Sequence, residues 1–596
     1  MIETSKPLDR ETLLPEPDLP TGPALLAEGG SAARDWTVGP CPFLTENDIA
    51  SEADYKAAAI AEGRIMRHAQ IGFRDPDKNR RAYRDVYEDC RQQGVGVDRY
   101  GLCLDWAMGY PLDLRRKGPR GTGVMLKGPE AFAALTHMAP VAPHFGDFVL
   151  GFPGAFDNTK WALAAGSTAI GNLGQWFTFR LPHWDDDVAS ACSTVRALGL
   201  MSAQPVPVLV HSNLDDGFAA SFSDLTSALG FALLERHIVE TLVGGRMAHC
   251  YGHHFSEGRG RLAFLLALAG LSEGPGTMIY GNTTSYRGAP AANYASLSAY
   301  LEIDIAGQRL RATGHAINPV PVSENERIPD IDEIVDAQLF ADRLINLTED
   351  RLPPVDLSAV EADARQLCDG AVAFRDRVLV GLTEAGVDTG DVLEMLLVLR
   401  RIGARRLERL FGDGEPDADL PAGFRPRVAS PVYDEIARMA ESRLARIDEP
   451  ARSAIADAGL KVLTATTDVH EHGKTLLDTV MHGLTITVED GGISVDPDDL
   501  AEQAASGGAD LICISTYNGV ALGFLEELVG ELAARGVDVP VLVGGRLNQI
   551  PSGSNTSLPV DVAAELEAAG AHVCRDIDDA IPLLTALARA SAPKSP

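Results

Sequence analysis

The chain has 596 residues, of which 45% are hydrophobic, and a formal net charge of −32. That is enough apolar material for more than one core, and so acidic a surface repels a phosphate backbone, which argues against nucleic acid as a partner. No apolar run approaches the roughly 20 residues of a membrane span, Met1-Ile2-Glu3-Thr4-Ser5 lacks the basic-then-apolar pattern of a secretory signal, and the eight cysteines include no Cys-x-x-Cys pair, so the expectation is a cytoplasmic protein without disulfide framework or zinc cluster.

Residues 1–55 are rich in Pro, Gly and acids, as in Leu14-Pro15-Glu16-Pro17-Asp18-Leu19-Pro20, and read as an extended arm. From 56 to 350, short apolar runs alternate with helix-like stretches. Phe148-Val149-Leu150, Ala169-Ile170-Gly171-Asn172, Val206-Pro207-Val208-Leu209-Val210 and Met278-Ile279-Tyr280-Gly281 read as ends of buried strands, and Leu225 to Leu242 has helical spacing. Strand, loop and helix in repetition predict a parallel sheet, and over roughly 300 residues a (β/α)8 TIM-like barrel is the economical closure. Polar residues just after such strands line the mouth where barrels hold substrates.

Residues 351–455 change character. Amphipathic stretches such as Ala359 to Leu379 and Val392 to Leu410, broken by Gly412-Asp413-Gly414-Glu415-Pro416, predict a helical connector. In 456–596 strands recur, at Lys461–Thr466, Gly483–Val488, Leu511–Ser515, Val539–Val543 and Ala571–Cys574. This spacing predicts a five-stranded, flavodoxin-like doubly wound domain.

The first of these strands is followed by Asp468-Val469-His470-Glu471-His472-Gly473. A dinucleotide site would carry Gly-x-Gly-x-x-Gly here. Instead a carboxylate stands two residues before an imidazole, at the end of the sheet where such folds bind ligands. A neutral imidazole offers one nitrogen to a metal and needs an acceptor for the other, which Asp468 supplies; Gly473 lets the backbone approach a bulky group. The series Asp-x-His-x-x-Gly, Ser-x-Leu after strand three and Gly-Gly after strand four marks the cobalamin-binding domain of B12-dependent mutases and methyltransferases. This chain resembles it through Asp468, His470 and Gly473, through Ser515-Thr516-Tyr517 and through Gly544-Gly545. The resemblance implies that His470 replaces the cofactor's own base on cobalt, while the displaced tail lies near Ser515, Gly544 and Gly545. Tyr517 stands where leucine is usual, which alters the packing of that tail.

A barrel placed before this domain is the mutase arrangement. Methyltransferases of the class carry a four-helix cap directly before the motif, and a B12-binding sensor would lack convergent polar groups at the barrel mouth. The barrel and connector further resemble the catalytic subunit of glutamate mutase (methylaspartate mutase), here fused to its cobalamin subunit. The similarity runs through Leu173-Gly174-Gln175-Trp176-Phe177-Thr178-Phe179-Arg180-Leu181-Pro182-His183, Cys250-Tyr251-Gly252-His253 and Arg327-Ile328-Pro329-Asp330 with the helix Glu333 to Leu344. The family's substrate-binding glutamate falls on Leu173, and its tyrosines on Phe179 and His183. An apolar group in place of an ammonium partner argues against glutamate as substrate.

The resemblance thus implies an adenosylcobalamin-dependent carbon-skeleton mutase for another small carboxylic acid, assembled as a homodimer. Its candidate catalytic residues are Asn172, His254 and His315. Gln175, His183 and His211 are candidate substrate contacts, with Arg99 and Arg287 as carboxylate clamps, since guanidinium binds carboxylate through two parallel hydrogen bonds. Each has a structural alternative, because barrel histidines often serve only to satisfy buried neighbours.

Overall fold

The computed structural model of the chain describes every residue except 1–6, 118–120, 122, 219–220, 253–254, 256, 287, 349–354, 418–419, 421–422, 469–471, 518, 550–559 and 592–596. It divides into two units. Unit 1 comprises Met1–Thr178, Asp186–Glu415 and Arg425–Pro431, and unit 2 comprises Phe179–Asp185, Pro416–Phe424 and Val432–Pro596. Among the described residues, no helix is long and apolar enough to cross a membrane.

Among the described residues, unit 1 contains eight parallel strands: β1 His68–Ile71, β2 Arg99–Leu102, β3 Ala142–Phe145, β4 Ala169–Ile170, β5 Leu209–Asn213, β6 Arg246–Cys250, β7 Met278–Ile279 and β8 Ala316–Ile317. The first six form one sheet in chain order, and β7 pairs with β8 separately. The continuous sheet is not closed. Each of its two joints is spanned by a single bridge, Tyr251 to Ile279 and Arg67 to Ile317.

Parallel neighbours need a crossover, and helices provide it. The one after β1, Pro76–Gln92, starts on Pro76 with Asp75 accepting from the Lys78 N–H, and buries Ala82, Tyr83, Val86 and Cys90 at helical spacing. Those residues share a core with Ala69 and Ile71 of β1, which leaves His68 and Gln70 to the opposite face of the strand. Before β1, the helix Glu52–Glu62 begins on the Ser51 cap and ends on Gly63 in the left-handed region. Its Lys56 ammonium donates to the carbonyls of Thr277 (3.0 Å) and Gly314 (2.7 Å), and the Glu52 N–H donates to the Thr168 hydroxyl. Those partners stand just ahead of β7, β8 and β4, so this helix floors the amino ends of the strands.

Several predicted elements differ. Phe148-Val149-Leu150 is a turn, with Phe148 and Gly151 at positive φ, and the strand precedes it at Ala142–Phe145. Pro205 and Pro207 lack an N–H for the ladder, and β5 starts only at Leu209. The described part of the expected arm, residues 7–55, is not extended. It forms helices Arg10–Leu13, Gly22–Ser31 and Pro42–Glu46, and Leu13, Leu25 and Phe43 are fully buried. The connector's helix Leu357–Glu384 packs on Leu225–Arg236 so closely that a side chain on Gly230 would meet the Ala371 carbonyl at 2.8 Å.

Unit 2 has strands β9 Lys461–Thr466, β10 Thr487–Gly492, β11 Leu511–Thr516, β12 Val541–Gly545 and β13 His572–Cys574, all parallel, in the order β10-β9-β11-β12-β13. This is the flavodoxin-like 2-1-3-4-5 order. Its apolar strands bury both faces by simple alternation: Leu463, Ala465, Ile512, Ile514, Val541 and Val543 enter one core, and Val462, Leu511, Cys513 and Leu542 the other. The strand expected at Gly483–Val488 begins four residues later, because Thr485 sits at φ 63 and turns the chain while Leu484 and Ile486 plug the core beneath.

Candidate functional site

The described polar candidates of unit 1 are each held by other residues of the fold. Arg99 is the first residue of β2, fully buried, with Nε donating to Glu52 Oε1 at 2.8 Å and Nη1 at 3.2 Å from His68 Nδ1. It stands at the amino ends of the strands, beside the helix Glu52–Glu62, and is not a clamp at their carboxyl ends. His211 lies mid-strand in β5, its Nδ1 2.9 Å from the Thr277 hydroxyl and its ring edge-on to His144 at 4.3 Å. Burial, then Arg99, holds its pKa well below the usual histidine range. His315 also falls on the wrong side: it precedes β8, its Nδ1 is 2.7 Å from the Thr313 hydroxyl, and its ring occupies the space a side chain on Gly276 would need. Burial, then Lys56, pushes it down to about 3. Both rings are neutral near pH 7.

Asn172 and Gln175 do reach the carboxyl ends. Asn172 Oδ1 accepts from the Asn213 N–H at 2.9 Å, and Gln175 Oε1 from the Phe148 N–H at 2.9 Å, which ties together the loops after β3, β4 and β5. His183 is not a residue of unit 1. It lies in the excursion Phe179–Asp185 of unit 2, about half exposed, with its N–H donating to Asp496 Oδ2 at 2.9 Å. His254 and Arg287 lie outside the described residues.

Two buried groups of unit 1 escaped sequence reasoning. Glu235 accepts from the Ser212 hydroxyl at 2.8 Å and lies 3.2 Å from His249 Nε2, and burial pushes its pKa up to about 8. Arg115 is buried beside the exposed Arg116, donating to the Tyr110 carbonyl and Asn158 Oδ1, and burial lowers its pKa to about 10. Nothing in the run Arg115-Arg116-Lys117 distinguishes which of the three turns inward.

In unit 2, by contrast, the motif residues converge. The register pairs Thr466 with Ser515, Ser515 with Gly544 and Thr516 with Gly545. The strand order reverses between β9 and β11, and there the buried Asp468 Oδ2 accepts the Tyr517 N–H at 2.9 Å and stands 3.3 Å from the Thr467 hydroxyl. Gly473, at the start of the helix His472–Gly483, lies over Ser515, where a Cβ would come 2.6 Å from the hydroxyl oxygen. Gly545 turns at φ 95, and a Cβ there would meet the Thr516 carbonyl at 2.4 Å. Thr516 Oγ1 is buried without a hydrogen-bond partner. Tyr517 is exposed on the rim. His470 lies outside the described residues.

Residues 460–572 match the family model for the B12 binding domain. This part of the chain is a B12-binding domain. Over 191 residues the chain is also 23% identical to ethylmalonyl-CoA mutase of Cereibacter sphaeroides, covering 32% of this chain and 24% of that enzyme. The chain therefore spans about a quarter of that relative's length. Together the two matches relate the chain to the B12-dependent mutases. A solved structure of a cobalamin-binding protein from Desulfitobacterium hafniense DCB-2 is similar over 26% of this chain and 82% of its own, at 17% identity and a TM-score of 0.18.

The residues of the B12 domain fit a corrinoid. A bulky group needs backbone that approaches without side chains, and Gly473 provides it over Ser515, with Gly544 and Gly545 on the neighbouring strand. The Ser515 hydroxyl oxygen lies where a Cβ on Gly473 would come within 2.6 Å, on the face of the sheet that the helix His472–Gly483 covers. Asp468 is held by the Tyr517 backbone two residues from His470, the position for orienting an imidazole that binds a metal.

Proposed function

We propose that the protein is an adenosylcobalamin-dependent carbon-skeleton mutase acting on a small carboxylic acid other than glutamate. The observation that carries this reading is the convergence of Asp468, Gly473, Ser515, Gly544 and Gly545 at the switch point of the B12 domain. In this reading His470 is the cobalt ligand and Asp468 sets the tautomer of its ring. Bound there, the cofactor supplies radical hydrogen-abstraction chemistry. Unit 1 is read as a (β/α)8 barrel of the TIM type, a reading supported by the single bridges at both joints of its sheet. Asn172 and Gln175 hold its strand-end loops in place, and burial beside the Arg99 cation keeps the imidazoles of His144 and His211 neutral.

The helices before the motif favour a mutase over a methyltransferase. Residues Val360, Leu367, Phe374, Val392 and Leu396 belong to the core of unit 1. Only Pro431–Leu444 and Glu449–Ala458 precede β9 within unit 2, and they pack into the sheet's own core through Ile436, Ala440 and Ile455. A four-helix cap is thus missing among the described residues. Assembly as a homodimer is part of the proposal, and sedimentation tests it.

The decisive experiment is electron paramagnetic resonance of the adenosylcobalamin-loaded protein mixed with candidate acids. A coupled cobalt(II)–organic radical signal, lost in His470→Ala, is the expected result. An optical spectrum in which cobalamin keeps its own base on cobalt would overturn the ligand assignment.

A further inference from the structure

We propose that Arg115 and the first turn of the helix Ala155–Ala164 form a subsite for a carboxylate of the substrate acid. The inference deepens the mutase reading above, on which the nature of that acid rests. Arg115 lies between β2 and the helix Pro129–Thr136 and is only 5% exposed. Its Nε donates to the Tyr110 carbonyl at 2.9 Å and its Nη2 to Asn158 Oδ1 at 2.7 Å, while Nη1 is buried without a hydrogen-bond partner. The guanidinium carbon stands 5.1 Å from the centroid of the Trp161 ring. The helix begins after β3 on Gly154, which supplies no side-chain cap. The Gly154 N–H donates to the Gly109 carbonyl at 2.7 Å, and a Cβ on Gly154 would come 2.8 Å from Arg115 Nη2. The segments that leave the carboxyl ends of β2 and β3 are thus joined, with the guanidinium laid against the start of the helix.

Buried guanidinium groups elsewhere in unit 1 stand against carboxylates: Arg99 against Glu52 (2.8 Å), Arg261 against Asp304 (2.6 Å) and Arg236 against Glu240 (2.7 Å). Arg115 has no ion-pair partner among the described residues, and the nearby Asp157 carboxylate is held by Lys160 at 3.2 Å. A guanidinium taken out of water without an anion costs stability, and an unpaired N–H edge adds to that cost. Burial lowers its pKa only to about 10, so the charge persists at neutral pH. The helix start contributes the positive end of its dipole at the same place. One of its first-turn N–H groups, that of Phe156, already donates to the Ser193 hydroxyl at 3.1 Å. A carboxylate would answer both the charge and the hydrogens on Nη1.

The test is thermal unfolding of the full chain, without cobalamin, titrated with sodium succinate against sodium chloride of equal ionic strength. A saturable rise in melting temperature with succinate alone is expected, because a ligand that binds only the native state stabilises it. Arg115→Met is similar in length but uncharged. It starts lower, having lost the bonds to Tyr110 and Asn158, and should need at least about tenfold more succinate for the same rise. No succinate-specific rise in the wild type, or the same succinate dependence in Arg115→Met, overturns the subsite. Should Arg115→Met not fold, Arg115→Lys decides, since an ammonium lacks the planar fork: weakened succinate binding supports the subsite and unchanged binding overturns it. Optical titration with hydroxocobalamin tests the cofactor reading separately. A wild type that binds succinate but no cobalamin keeps the carboxylate subsite and brings down the mutase reading.

Discussion

Arg99 stands at the first residue of its strand and Ser515 at the next-to-last residue of its own. In unit 1 the polar groups inside the sheet are held by partners of the fold, Arg99 by Glu52 and His68, His211 by Thr277 and His315 by Thr313, although Glu52 Oε2, Arg99 Nη2 and His315 Nε2 remain buried without one. In unit 2 the groups at the carboxyl ends are brought together and left with hydroxyls and bare backbone facing the crevice. A charged or imidazole side chain in a parallel sheet therefore announces nothing by its identity. Its height along the strand decides whether it holds up the fold or meets a ligand.

The sharpest way to break this comparison is Arg99→Ala. If Arg99 serves the fold, the substitution removes the closer of Glu52's two buried cation partners, leaving Lys56 at 3.5 Å, and costs about 3 kcal/mol in urea unfolding. A change below about 0.5 kcal/mol would return Arg99 to the substrate-contact role.

Acid should separate the units next. Burial lowers the pKa of His68, His144, His211, His249 and His315, the last to about 3 from 6.5. Between those values the unfolded chain binds more protons than the folded one, so the stability of unit 1 is complete above pH 6.5 and falls as pH drops toward 3. At about 1.4 kcal/mol per pKa unit, the loss amounts to several kcal/mol, measurable by urea titration at stepped pH. Glu235 acts with opposite sign. With its pKa raised from 4.5 to about 8, it binds the extra proton in the folded state and erodes stability as pH rises through that window. Glu235→Gln should remove this slope and leave the acid branch intact.

Smaller effects belong to the B12 domain. Gly473→Ala places a methyl group 2.6 Å from the Ser515 oxygen and should weaken cobalamin about tenfold, or ~1.4 kcal/mol, by optical titration. Ser515→Ala removes one hydroxyl beneath Gly473, so cobalamin affinity should drop only a few-fold, ~0.5–1 kcal/mol, with the melting temperature unchanged. A fall in melting temperature without loss of affinity would show that Ser515 serves the fold.

Much of unit 2 was legible because local signals agreed there: apolar runs of strand length, the order of motifs, and glycines where backbone must come close. The displaced strand at 483–488 shows the limit, since Leu484 and Ile486 alternate like a strand and are recruited instead to seal a helix end. Unit 1 was legible as alternating strands and helices, but not residue by residue. His68–Ile71 and Arg99–Leu102, polar on one face, carry no continuous apolar run to mark them.

By itself, the sequence determined the α/β class, most strands of unit 2 and the B12-binding motif, because periodicity and backbone-permissive glycines are local properties. Tertiary structure alone decided that Arg99, His211 and His315 are held by Glu52, Thr277 and Thr313 and that His183 belongs with Asp496. It also decided that Arg115, rather than Arg116, is buried. The physical reason is that burial and pairing depend on partners tens to hundreds of residues away, and no local pattern records them.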